Sequence, residues 1–312
     1  MLLLEDHSSF TPLNIPQEVL RYKSEPIQMG VGKSGKIGIL QLQLEVDDET
    51  KKTIVKEKFC RVPLYVQRAL YLEESIPSMA YIYIISPSGG ILQGDRYRID
   101  ITLKKNSYAH ITTQSATRVY KMEKDFGTQI VNIAIDDGCY IEYIPEQIIP
   151  FRNSRFYQEV DLNVHENATM VYSEIIVPGR VASGELFEYD ICYVKTVARD
   201  NFDKMRFADS FNLEPKKEDL RSYGTMENLD VVGSLYILTK KENVKEIKNE
   251  INYIFRNVTN TRGGASVLPN NSGIIVRILG NTASEVRNAI YEILKITRKK
   301  ILGATFSGIR KA

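Results

Sequence analysis

From Lys36 onward, apolar and polar residues alternate. Ile37, Ile39, Leu40, Leu42, Leu44 and Val46 mostly stand beside polar neighbours, the period-two pattern of a strand with one buried face. Similar runs recur at 53–65, 79–85, 97–103, 107–113, 128–135, 139–144, 156–164, 168–177 and 185–199, separated by turn signals such as Asp136-Asp-Gly138 and Glu166-Asn167. Many short strands at this spacing predict a mainly β body over about 36–222: a sandwich-like, barrel or β-helix-like stack. No fixed-period repeat selects among these. Residues 1–35, with Pro12, Pro16 and Pro26, read as an irregular lead-in.

The last quarter changes period. Val231–Thr239 reads as a strand, and Val244, Ile247, Ile251, Ile254 and Phe255 then recur at helical spacing. Gly264–Leu268 and Gly273–Leu279 read as strands. Thr282-Ala-Ser-Glu285 is a capping box ahead of the apolar stripe Val286, Ala289, Ile290, Ile293 and Leu294. A β-α-β-β-α subregion with two helices is therefore expected over about 223–302. Its basic run Thr297-Arg-Lys-Lys300 reads as cations favouring a helix C-terminus.

Composition narrows the function classes. Of the 312 residues 43% are hydrophobic and 26% charged, with a net charge of +2, so no electrostatic footprint for nucleic acid is present. Cys60, Cys139 and Cys192 are far apart and lack a Cys-x-x-Cys pair, which favours a reducing compartment. The start, Met1-Leu-Leu-Leu-Glu-Asp-His7, is short and acidic for a secretory leader, and no apolar run approaches the ~18–20 residues that span a bilayer. The expectation is a cytoplasmic protein without a membrane association.

Catalytic and ligand motifs are sparse. Gly32-Lys-Ser34 is not a P-loop, because Ile27 stands where a glycine is needed and a strand pattern follows. His7, His110 and His165 lie apart from one another and from the cysteines, so no metal cage is expected. No Gly-x-Ser-x-Gly elbow occurs. Four segments carry more. Residues 86–95, Ser-Pro-Ser-Gly-Gly-Ile-Leu-Gln-Gly-Asp, join two strand runs through a glycine-rich turn that ends in Asp95; a hairpin with a solvated Asp is the simple reading. Thr112–Tyr120 reads as an edge strand or as a polar seam lining a cavity. Glu174–Glu185 reads as strand, Pro-Gly corner and strand, ending in Glu185. Tyr143–Arg152, with Pro145 and Pro150, reads as a stiff surface loop offering apolar area to a partner.

These segments in this order resemble the urease accessory protein UreD (UreH) family. The likeness runs through Pro63–Glu74, the Pro-x-Gly-Gly-x-x-x-Gly-Asp loop at 87–95, Thr112–Tyr120, Tyr143–Arg152 and Gly179–Glu185, with pattern alone over 224–300. The chain departs from the family at Ala69 and Leu72, where prolines are usual, in having no Trp, and in its tail Gly303–Ala312. The resemblance implies one domain over 1–312, a β-helix-like body with two helices, and a non-enzymatic maturation scaffold. Such a scaffold binds apo-urease, a helical UreF-like partner and a UreG-like GTPase, and helps deliver nickel. It implies no tightly bound cofactor, only nickel in transit through an internal polar tunnel, with Asp95, Thr117 and Glu185 at the matching positions. Sparse oxygen groups suit an ion that must enter and also leave. Two other readings stay open: an enzyme with Asp95 and Glu185 as acid and base, and a plain β-structured binding module. At the level of contacts, Asp95 can instead cap its turn and Glu185 pair with Arg180.

Overall fold

The computed structural model describes residues 10–24 and 35–308. His7 and Gly32–Ser34 lie outside the described residues. A short helix α1 (Gln17–Leu20) precedes the β body. In chain order the strands are β1 (Ile37–Val46), β2 (Thr53–Arg61), β3 (Tyr65–Val66), β4 (Ala80–Ile85), β5 (Arg96–Leu103), β6 (Tyr108–Thr113), β7 (Thr117–Val119), β8 (Gly127–Ile135) and β9 (Tyr140–Tyr143). There follow β10 (Ile148–Pro150), β11 (Arg155–Val164), β12 (Thr169–Ile176), β13 (Ile191–Arg199), β14 (Met205–Leu213) and β15 (Val231–Leu238). The chain then forms α2 (Lys241–Asn257), β16 (Thr261–Val267), β17 (Ile274–Gly280) and α3 (Ala283–Leu302).

The strands form two sheets, and the middle of the chain crosses from one to the other at almost every step. One sheet has the order β14-β13-β11-β8-β5-β1-β2, the other β16-β17-β15-β12-β9-β6-β4-β3, with β7 and β10 beside the latter. The pairs β5–β8, β8–β11, β4–β6, β6–β9 and β9–β12 are all parallel. Parallel neighbours reached by alternating between sheets make a coil, so the fold is β-solenoid-like, within the expected mainly β class. The hairpin reading of residues 86–95 is corrected: β4 and β5 lie in different sheets, and the glycine-rich turn carries the chain across.

Further expectations are corrected. Residues 185–190 are not strand; a short turn of 3₁₀-helix, Val181–Ser183, follows the Pro-Gly corner instead. The Tyr143–Arg152 segment is not an exposed apolar loop: β10 lies within it, and Ile144, Ile148 and Phe151 are buried. β14 was not anticipated. Its alternation Met205, Phe207, Phe211, Leu213 is broken by Asp209 at the place of an inward residue.

The main core lies between the sheets and includes Leu40, Ile82, Ile99, Ile133, Leu162 and Tyr172. A second core joins the outer face of β12, β15 and β17 to the helices, through Val171, Leu235, Val276, Ile247, Ile251, Ile290 and Ile293. β12 and β15 are therefore buried at every position, one face by the opposite sheet and the other by helices. The capping box forms as expected: Thr282 Oγ1 accepts from Glu285 N–H at 3.2 Å, and Glu285 Oε2 accepts from Thr282 N–H at 3.0 Å.

Candidate functional site

Alternation along each strand puts every second side chain inside the coil, and on successive turns a polar side chain recurs there. Tyr97 on β5 pairs with Gln129 on β8, Gln129 with Gln158 on β11, and Gln158 with Val194 on β13. Two places along β13, Thr196 also points inward, and it pairs with Asp209 on β14. On the opposite sheet Glu174 on β12 pairs with Ser234 on β15, which pairs with Arg277 on β17. A polar stripe thus crosses an otherwise apolar interior. From β5 to β14 it spans four strand spacings, about 19 Å.

The stripe is hydrogen-bonded along much of its length. Gln129 donates to Gln158 at 2.8 Å, Gln158 to the Tyr172 hydroxyl at 3.3 Å, and Tyr172 to Glu174 Oε1 at 2.6 Å. Thr196 donates to the same Glu174 oxygen at 3.0 Å. Beyond Glu174, Tyr236 donates to Asp209 Oδ2 at 2.5 Å, and Arg277 donates to Asp209 and Ser234.

A cavity of about 330 Å³ lies along the first part of the stripe. It opens between the turns 86–90 and 115–118, where Pro87, Gly89, Ser115 and Arg118 are exposed, and runs inward past Thr117, Tyr97, Gln129 and Gln158 to Tyr172 and Glu174. The 86–95 turn is fastened at this mouth. Ile91 N–H donates to Arg118 O at 2.8 Å and Tyr120 N–H to Ile91 O at 2.9 Å. A Cβ at Gly90 would stand 2.4 Å from the Arg118 carbonyl oxygen, so only glycine allows this approach.

Glu174 is the carboxylate at the inner end. It is 5% exposed, and its pKa is pushed up to about 7 because burial penalises the charge more than the Tyr172 and Thr196 hydroxyls favour it. A buried acid that titrates near neutrality, at the end of a cavity, can exchange a proton for a cation.

Of the three sequence candidates, Thr117 lines the mouth of the cavity. Asp95 is fully buried behind it: its carboxylate accepts from Lys36 N–H at 2.7 Å, Leu92 N–H at 2.9 Å and the Tyr97 hydroxyl at 3.4 Å. It meets the cavity only through Tyr97. Burial raises its pKa, against the pull of the backbone N–H groups. Glu185 stands at the 178–185 corner, where Arg180 forms an ion pair with it and Arg152 N–H donates at 3.2 Å; it is not among the lining residues. The capping and corner contacts considered for Asp95 and Glu185 are thus both present. Sequence reasoning missed Gln129, Gln158, Glu174, Asp209 and Arg277.

A second charged centre lies apart from the cavity. Arg298 on α3 has no exposed surface and donates to both oxygens of Glu142 at 2.7 Å, to the Tyr81 hydroxyl at 2.8 Å and to Glu73 at 3.1 Å. His110 Nδ1 lies 2.5 Å from Glu142, and the Phe306 ring packs 4.5 Å from the guanidinium. Arg298 is therefore not one of the solvated helix-end cations that its run suggested; Lys299 and Lys300 fill that place. No group of His, Cys, Asp and Glu suited to hold a metal ion occurs among the described residues. No helix among them is long and apolar enough to cross a membrane.

The family model of the UreD urease accessory protein matches residues 38–310. The chain is 39% identical over 284 residues to the urease accessory protein UreD of Cenarchaeum symbiosum, covering 91% of this chain and 99% of that one. It is 38% identical over 291 residues to the urease accessory protein UreD 2 of Brucella suis, covering 93% and 96%. To the urease accessory protein UreD of Yersinia pseudotuberculosis it is 37% identical over 295 residues, covering 94% and 91%.

Proposed function

Since the chain belongs to the UreD family of urease accessory proteins and so has a role in the maturation of urease, we propose that it acts as a non-catalytic scaffold through which nickel reaches the urease active site. Its partners are the urease apoprotein and UreF-like and UreG-like accessory proteins, and its place of work is the cytoplasm. Nickel is cargo, taken in at the 86–90 and 115–118 turns past Thr117 and carried along the stripe to Glu174.

The single observation that carries this reading is the cavity that reaches the buried Glu174 carboxylate past the hydroxyl and amide groups of the stripe, between walls that are otherwise largely apolar and carry Arg118 and the Arg287-paired Glu146. A divalent cation in so dry a space needs an opposite charge. One carboxylate supplies it without the several soft or nitrogen ligands that would hold nickel fast. Glu174 gives up its proton as the ion arrives and takes one back as it leaves. Asp95 holds the mouth in shape through Lys36 and Leu92. Its enclosure, and the engagement of Glu185 by Arg180, weigh against these two as an acid/base pair.

The test is co-expression with urease and the other accessory proteins, comparing the wild-type chain with Glu174→Gln. Complex yield is expected to hold while nickel per urease active site falls at least tenfold. Full nickel loading in that variant, with the complex formed, would overturn the route.

A further inference from the structure

The cavity stops at Glu174, but the polar stripe does not. Past Glu174 the space between the sheets is filled by Arg277, whose guanidinium donates to Asp209, Ser234 and, at 3.3 Å, to the Tyr236 hydroxyl. Phe207 stacks on Tyr236 at 5.0 Å between centroids, and the Phe211 ring lies 5.6 Å from the guanidinium. The Arg277 side chain is 35% exposed and that of Asp209 22%. The pair therefore has one side toward Glu174 and the other toward solvent, at the last turn of the coil, where β14 is the edge of its sheet. A cation beside Glu174 meets a positive guanidinium whose charge is held in place by a carboxylate.

We propose that the Arg277–Asp209 pair is a gate at the inner end of the passage, opened by the cargo itself. The inference rests on the nickel route just described and adds its control. A divalent cation outcompetes a guanidinium for the Asp209 carboxylate when it arrives partly dehydrated. Arg277, anchored on β17 and free to turn toward solvent over Phe211, then yields the space it filled. When the ion has gone, Asp209 recovers its partner and the end closes. At rest the passage has one open mouth, and at its other end an ion must first displace Arg277 from Asp209, which slows its exit.

The experiment loads the full-length chain, in complex with its accessory partners where these are needed for solubility, with nickel chloride. It then follows removal of nickel by EDTA in stopped flow. The wild type is expected to release slowly, since its ion must either retrace the cavity to the mouth or first displace Arg277 from Asp209. The neutral pair Arg277→Met, Asp209→Asn removes the plug without leaving a free carboxylate as a trap, and is expected to release at least tenfold faster. The charge-retaining pair Arg277→Lys, Asp209→Glu is expected to stay within threefold of wild type, which also checks that release does not merely report a disturbed fold. Glu174→Gln is expected to retain no nickel. Release at the wild-type rate from the neutral pair, with Glu174→Gln empty, would overturn the gate and leave the route standing. Equal nickel retention by wild type and Glu174→Gln would overturn the route, and the gate with it.

Discussion

Arg298→Met tests what fastens α3 to the β body. Arg298 has no exposed surface, and its loss removes both of its hydrogen bonds to Glu142, which is itself fully buried. Glu142 keeps the Tyr140 hydroxyl at 2.7 Å and His110 at 2.5 Å, but its charge loses its compensating cation. Glu73 loses a partner too. Breaking a buried pair from one side costs about 3–5 kcal/mol, because the remaining charge stays out of water. With an unfolding entropy of about 2.1 cal/mol/K per residue over 312 residues, a loss of about 4 kcal/mol lowers Tm by about 6 °C. The assay is scanning calorimetry at one fixed scan rate. The double variant Arg298→Met, Glu142→Gln removes the stranded charge and keeps an acceptor for Tyr140, so it is expected to recover half or more of the lost Tm. A single variant within about 1 °C of wild type would refute the reasoning. So would a double variant whose losses simply add, since residues that act as a pair do not behave independently.

Further outcomes are expected at the cavity and its corners. Glu174 has a folded pKa of about 7, above its unfolded value, so wild-type stability falls as pH rises from about 4.5 to 7 and then levels. Glu174→Gln should abolish that fall and be the more stable chain at pH 8, by on the order of 3 kcal/mol at most; parallel pH–stability curves would count against a raised pKa. Asp95→Ala leaves the Lys36 and Leu92 N–H groups without their acceptor, at about 1–3 kcal/mol each, so denaturation midpoints should drop together with complex yield; loss of nickel loading alone would argue for a direct contact with the ion. Glu185→Ala breaks a corner ion pair with the half-exposed Arg180, and should shift stability by less than about 1 kcal/mol with nickel loading near wild type. A large fall in loading there would bring Glu185 back onto the route.

A strand that alternates cleanly, such as β5, was legible because one of its faces is buried and the other partly exposed. The coil that the strands form was not. Tyr97, Gln129, Gln158 and Val194 sit side by side on successive turns, so a turn takes 32, then 29, then 36 residues, and no period survives in the sequence. The site was hidden for a related reason. Glu174, Arg277 and Glu142 each stand as a lone charge in a strand of mostly apolar residues, and β14 went unseen because Asp209 interrupts its alternation. Local pattern counts such residues as noise, yet a charge in a buried strand needs a partner from elsewhere in the chain. That signal was available. Which charge meets which was not, because the partners lie far apart in the chain, 156 residues for Arg298 and Glu142 and 225 for Arg298 and Glu73. Conversely, the Gly-Asp turn drew the eye to Asp95 through its glycines, while the charge there serves the backbone.

The same separation has a consequence for synthesis. A ribosome adds roughly 5–20 residues per second, so Glu142 emerges roughly 8–30 s before Arg298, the arginine that pairs with it among the described residues, and Glu73 waits longer still. Throughout that interval the Glu142 carboxylate, on the face of a half-built sheet, has His110 and Tyr140 beside it but not its arginine. Val171 and Ile175 on that sheet do not yet have α3 to cover them. The arrival of α3 closes both deficits in one step. Folding of this protein therefore finishes from its C-terminal side, and a chain stalled before residue 298 is left with an adhesive sheet that cellular quality control can recognise.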